Sequence, residues 1–125
     1  MNTQRSIYHG LVIEESLANE RVLQNYKILN TKIDGGWHLH IVAVAEPNVF
    51  ITEIQQAMMS DKPFYFHVYD NGISMRIVFK DAIFRVNPNN KNTWIAAQKY
   101  GQALNIPREQ LDFFPTRIKE EEKWL

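Results

Sequence analysis

The sequence predicts an α+β domain built on a mainly antiparallel sheet, and three observations carry that reading. Residues 37–46, Trp-His-Leu-His-Ile-Val-Ala-Val-Ala-Glu, are β-branched and aromatic, contain no Gly or Pro, and alternate at their start before lapsing into an apolar run. That pattern is a strand covered on both sides, and therefore central in its sheet. Asp34-Gly35-Gly36 and Asp70-Asn71-Gly72 supply the residue types that tight hairpins need. The apolar period changes from two to 3.6 at Pro47 and again at Thr93, which places helices after strands.

Taken in order, residues 7–15 read as a first strand with Gly10 at a bulge or a close backbone approach. Ser16 or Asn19 caps a short helix of at most two turns, with Leu17, Val22 and Leu23 facing inward. Residues 26–33 form a second strand, an edge kept soluble by Lys27, Asn30 and Lys32, which pairs antiparallel with the central strand across Asp34-Gly35-Gly36. Pro47 ends the central strand and Asn48 caps a helix over 48–60, whose stripe is Phe50, Ile51, Ile54, Ala57 and Met58. Residues 64–69, 73–79 and 82–86 make a meander of three strands. Thr93 caps a helix to about residue 105, in which Gly101 permits close approach to the sheet. Pro107 opens a short helical segment through Leu111, and Pro115 precedes a charged tail over 116–125, solvated, helical or frayed.

The order strand, helix, strand, strand, helix, strand over residues 7–69 matches the ferredoxin-like βαββαβ core, here extended by the meander and the C-terminal helices. The first and third strands are expected as parallel neighbours, with the fourth antiparallel on the first strand's other side. That layout puts His9, His38, His40 and His67 near one end of the sheet. Residues two apart on a strand share a face, so His38 and His40 project together, while Leu11 and Ile13 turn His9 to the helix-covered side. The open face then carries His38, His40, Val42, Tyr65, His67 and Tyr69, with His40 and His67 about 10 Å apart between backbones. Glu14 and Glu15 read as the start of a helix, where carboxylates suit the dipole.

A chain of 125 residues is one domain, 1–125, long enough to bury about two thirds of its unfolded surface. Lys+Arg and Asp+Glu balance at 14 each with no basic cluster, which argues against a nucleic-acid partner. Absence of cysteine excludes disulfides and thiolate sites. No apolar run reaches membrane-spanning length and the first residues lack a signal core, so no membrane partner is expected and the expected location is cytoplasmic. No phosphate-cradling, dinucleotide or nucleophile-elbow motif is present.

Four stretches, Gly10-Leu11-Val12-Ile13-Glu14-Glu15-Ser16-Leu17, Trp37-His38-Leu39-His40, Ile77-Val78-Phe79-Lys80-Asp81-Ala82-Ile83-Phe84 and Tyr100-Gly101 through Ile106-Pro107-Arg108-Glu109-Gln110-Leu111-Asp112-Phe113, carry a family resemblance. Through them the chain resembles a group of small uncharacterised bacterial and archaeal proteins. The resemblance implies one intact domain and transfers no activity.

On function, the first reading is a non-catalytic ligand-binding or protein-interaction module. It would form a homodimer or take a small-molecule ligand over the open face or in the groove beside the C-terminal helix, with His38, His40, Tyr65, His67 and Tyr69 as ligand-binding candidates. The alternatives are a small enzyme using His40 and His67 in acid/base chemistry and a divalent-metal-binding protein. No His-Glu-x-x-His or comparable ligand spacing appears, so neither an intrinsic metal nor a cofactor is expected.

Overall fold

The central strand forms where expected, as Trp37–Val44, and the other elements assemble around it. In the computed structural model residues 8–124 are described; Ile7, expected in the first strand, and Leu125, expected in the tail, lie outside them. The strands are β1 (Tyr8–Ile13), β2 (Ile28–Asp34), β3 (Trp37–Val44), β4 (Tyr65–Tyr69), β5 (Met75–Phe79) and β6 (Ala82–Val86). Helix α1 (Pro47–Ala57) joins β3 to β4, and α2 (Ile95–Ala103) follows the meander. Together they give an α+β architecture with one open six-stranded sheet of order β2-β3-β1-β4-β5-β6. Each neighbouring pair is antiparallel. Among the described residues no helix is long and apolar enough to cross a membrane.

The expected parallel pairing of β1 with β3 is corrected: they run antiparallel, with Tyr8 opposite Val44 and Ile13 opposite Leu39. The physical reason lies in the connections. β1 is joined to β2 by the 3-10 turns Glu14–Ser16 and Glu20–Asn25, and β2 folds back through Gly35 and Gly36, both at positive φ, into β3. β3 therefore runs opposite to β2 and fills the gap beside β1.

The sheet is covered on both faces. On one, Val12, Val42, Val44, Phe66 and Val68 pack on Phe50, Ile51, Ile54 and Met58. Gly10 allows this approach, since a Cβ there would lie 2.6 Å from the Phe50 ring. On the other face Leu11, Ile41, Tyr69, Ile77 and Phe79 pack beneath Trp94, Ala97, Leu111, Phe113 and Trp124. The residues expected to be a solvated tail are thus part of the second core, because Trp124 buries its ring there and the chain before it is stapled to the sheet. Ile118 N–H donates to Asp70 O at 3.1 Å, and Tyr69 Oη donates to Glu121 at 2.7 Å.

One expected cap forms and three other local expectations change. Asn19 caps the 3-10 turn Glu20–Asn25 by accepting from Arg21 N–H. Asn48 does not cap α1, because Pro47, with its φ preset and no N–H to satisfy, occupies the first turn; the Asn48 side chain accepts from Arg76 instead, at 2.6 Å. Thr93 spends its hydroxyl on Asn87 and Asn90 of the preceding loop. Gly101 admits Leu111 rather than the sheet, since a Cβ at Gly101 would lie 2.7 Å from the Leu111 side chain.

Candidate functional site

Register places the four histidines in three different environments. Val12 lies opposite His40 whereas Leu11 lies opposite His67, and successive residues of a strand point to opposite faces. The expected shared face of His38, His40 and His67 is therefore corrected: His38 and His40 lie on the α1 side, and His67 on the side of the C-terminal segment. The expected gathering at one end is corrected as well. His9 lies opposite Ala43, far along β3 from His38, because the two strands are antiparallel.

His67 is fully buried, with Nε2 donating to Pro115 O at 2.9 Å and Nδ1 without a partner. Burial lowers its pKa to about 4, the Pro115 hydrogen bond opposing only in part. Tyr65 and Tyr69 flank it and are equally occupied. Tyr65 Oη donates to Gln110 O at 2.5 Å, and burial raises both phenols well above the usual range. This half of the expected ligand face is core. His9 lies across Tyr69 and donates to Glu121 at 2.7 Å, so Glu121 Oε2 accepts from both His9 and Tyr69.

The other half gathers more side chains than the sequence suggests. Because β1 is antiparallel to β3, its exit at Glu14 and Glu15 arrives beside the start of β3. The His38 Nδ1–H donates to Glu15 Oε2 at 2.6 Å, and the His38 backbone N–H to Glu15 Oε1 at 2.8 Å. His40 Nε2–H donates to Glu14 Oε1 at 2.7 Å, leaving Nδ1 to accept from Thr31 Oγ1 at 2.8 Å. The hydrogen bond to Glu15 raises the His38 pKa. Partial burial alone would raise that of Glu15, but the backbone and side-chain bonds from His38 outweigh it and hold the carboxyl below its ordinary value.

The Glu14, Glu15 and His38 side chains each offer one donor atom, and the three atoms lie within 4.8 Å of one another, half-buried. A tetrahedral ion with donors at about 2.0 to 2.2 Å sets them about 3.3 to 3.6 Å apart, so the trio would have to close by up to about 1.5 Å to share one ion. His40 is itself held by Thr31 and orients Glu14, the outer-shell arrangement that fixes metal-bound carboxylates. Glu14, Glu15 and Thr31 are not among the candidates that the sequence marks. The signal that finds Glu14 and Glu15 is the antiparallel sense of β1 and β3, and Thr31 is found through the pairing of β2 with β3, which sets it opposite His40.

A cleft of about 760 Å³ opens elsewhere, between the loop before α2 and the C-terminal segment, lined by Lys91, Trp94, Gln98, Arg108, Phe114 and Arg117 among others. None of the histidines or tyrosines singled out from the sequence lines it. Comparison of the chain with protein-family models, curated proteins and solved structures returns no match.

Proposed function

We propose that this protein is a small binding module whose ligand is a divalent first-row transition-metal ion, taken by Glu14, Glu15 and His38. The observation that carries the reading is the convergence of two carboxylates and an imidazole from separate elements, with His40 and Thr31 behind them. Two carboxylate oxygens and one imidazole nitrogen suit borderline ions such as Zn²⁺, Mn²⁺ or Fe²⁺ rather than thiophilic ones. His38 is the ligand that gives nitrogen character and Glu14 the one held from behind. Joint proton transfer by His40 and His67 does not fit this arrangement, since the sheet lies between them and His67 is buried.

Strand order β2-β3-β1-β4, with β1 to β2 and β3 to β4 each crossing over an intervening antiparallel strand, supports a ferredoxin-like core in which 3-10 turns replace the first helix. A cytoplasmic place of action is part of the same reading and rests on the sequence. The test is metal content after dialysis: chelator-treated protein is re-exposed to Zn²⁺, freed of excess and assayed by mass spectrometry. One equivalent in the wild type, lost in His38→Ala and in Glu15→Gln, supports the proposal; equal retention in all three refutes it.

A further inference from the structure

β2 closes one side of the sheet, and among the described residues no strand pairs with its outer edge. Edge strands are commonly guarded by outward charge, by proline, or by a covering element. Here the guard is diverted: Lys32 Nζ donates to Trp124 O at 2.7 Å and sits 5.0 Å over the Trp124 ring. Ile28 and Ile33 are left 43% and 68% exposed on a strand that is exposed along nearly all its length.

Pairing with β3 fixes the face of every residue on this edge. Asn30, Lys32 and Asp34 lie opposite Ile41, Leu39 and Trp37, and so share one face; Thr31 and Ile33, opposite His40 and His38, share the other. The register shifts between Ile28 and Asn30, leaving Leu29 as the extra residue. As a result Ile28, opposite Val42, joins the face of Thr31 and Ile33. Lys27, whose carbonyl accepts from Ala43 N–H at 2.9 Å, joins that of Asn30, Lys32 and Asp34.

This pattern is self-complementary. A second copy laid antiparallel about a two-fold axis at Thr31 sets Thr31 opposite Thr31 and Asn30 opposite Lys32. The shift at Leu29 then sets Ile28 opposite Ile33 and Lys27 opposite Asp34, each pair on a single face. Opposite charges meet opposite charges and isoleucine meets isoleucine, twice each by symmetry, as an isologous contact requires. Without the extra residue, Lys27 and Asp34 would fall out of register. We propose that β2 is a homodimerisation edge, pairing with β2 of a second copy of this chain to continue the sheet across the two-fold axis. The covered sheet faces play no part in it.

The experiment is light scattering on the full chain and its variants, with far-UV circular dichroism confirming that each is folded. The wild type is expected at twice 14.7 kDa in the micromolar range. Lys27→Asp and Asp34→Lys are each expected to weaken dimerisation by about tenfold or more, and the double exchange Lys27→Asp/Asp34→Lys to restore it. Ile33→Lys, on an exposed side chain, is expected to give monomer and serves if a charge variant misfolds. A wild-type mass of 14.7 kDa at about 100 μM, far above the range of specific association, would overturn the proposal. So would a dimer that ignores Ile33→Lys, or a double exchange no tighter than the single ones.

Discussion

His40 and His67 stand on opposite faces of the sheet although they lie opposite neighbouring residues of β1, Val12 and Leu11. One imidazole is tied to Glu14 and Thr31, the other to Pro115, and they share no partner. Substitutions at independent sites add to within about 0.5 kcal/mol, so the unfolding free energies of His40→Ala, His67→Ala and the double variant are expected to sum to that tolerance. Coupling well above it in a denaturant double-mutant cycle would place the two in one network.

The burial of His67 gives a sign to the pH dependence of stability. Its pKa is about 4 in the folded protein against an ordinary 6.5, so below pH 6.5 the unfolded chain takes the proton first. Stability is therefore expected to fall as pH drops from 6.5 to 4, by roughly 3 kcal/mol from this group, and its contribution to level off below. Urea melts across that window check the slope, which His67→Phe is expected to flatten.

The contrast between these histidines shows what the sequence can and cannot display. β3, α1 and the β2–β3 hairpin are legible because they rest on local signals: the alternation of 37–41, the stripe from Phe50 to Met58, and Gly35 and Gly36 at positive φ. β5 also folds back after Gly72, but it starts at Met75 rather than residue 73, and its hairpin turns without a glycine at positive φ. Strand phase is not legible where both faces are buried. In β4, Phe66, His67, Val68 and Tyr69 are all buried, so no polar alternation marks which side faces a helix. The site is half visible: His38 and His40 are close in sequence, whereas Glu14, Glu15 and Thr31 join them only through the antiparallel β1–β3 and β2–β3 pairings. The C-terminal residues look solvated by composition, yet Trp124 and the acceptor Glu121 serve the second core.

That docking makes Trp124 a structural residue. Trp124→Ala is expected to cost about 3 to 5 kcal/mol, the range for truncating a large buried aromatic, as measured by chemical denaturation. Glu121→Gln, which keeps shape while weakening the bonds from His9 and Tyr69, is expected to cost less. Equal effects would mean that the polar staple, and not the buried ring, holds the segment down.

Gly10 faces Phe50 at a distance where a methyl group does not fit. Gly10→Ala is expected to destabilise by about 1 to 3 kcal/mol through overpacking, and Phe50→Leu in that background to recover part of the loss. A neutral Gly10→Ala in thermal melts would mean that α1 yields freely from the sheet.

The metal reading is tested most directly by isothermal titration of Zn²⁺ into chelator-treated protein. One site is expected, its affinity weakened at least about tenfold in each of Glu14→Gln, Glu15→Gln and His38→Gln, as loss of a ligand entails, and unchanged in His9→Gln. Indistinguishable isotherms for the wild type and His38→Gln would contradict it.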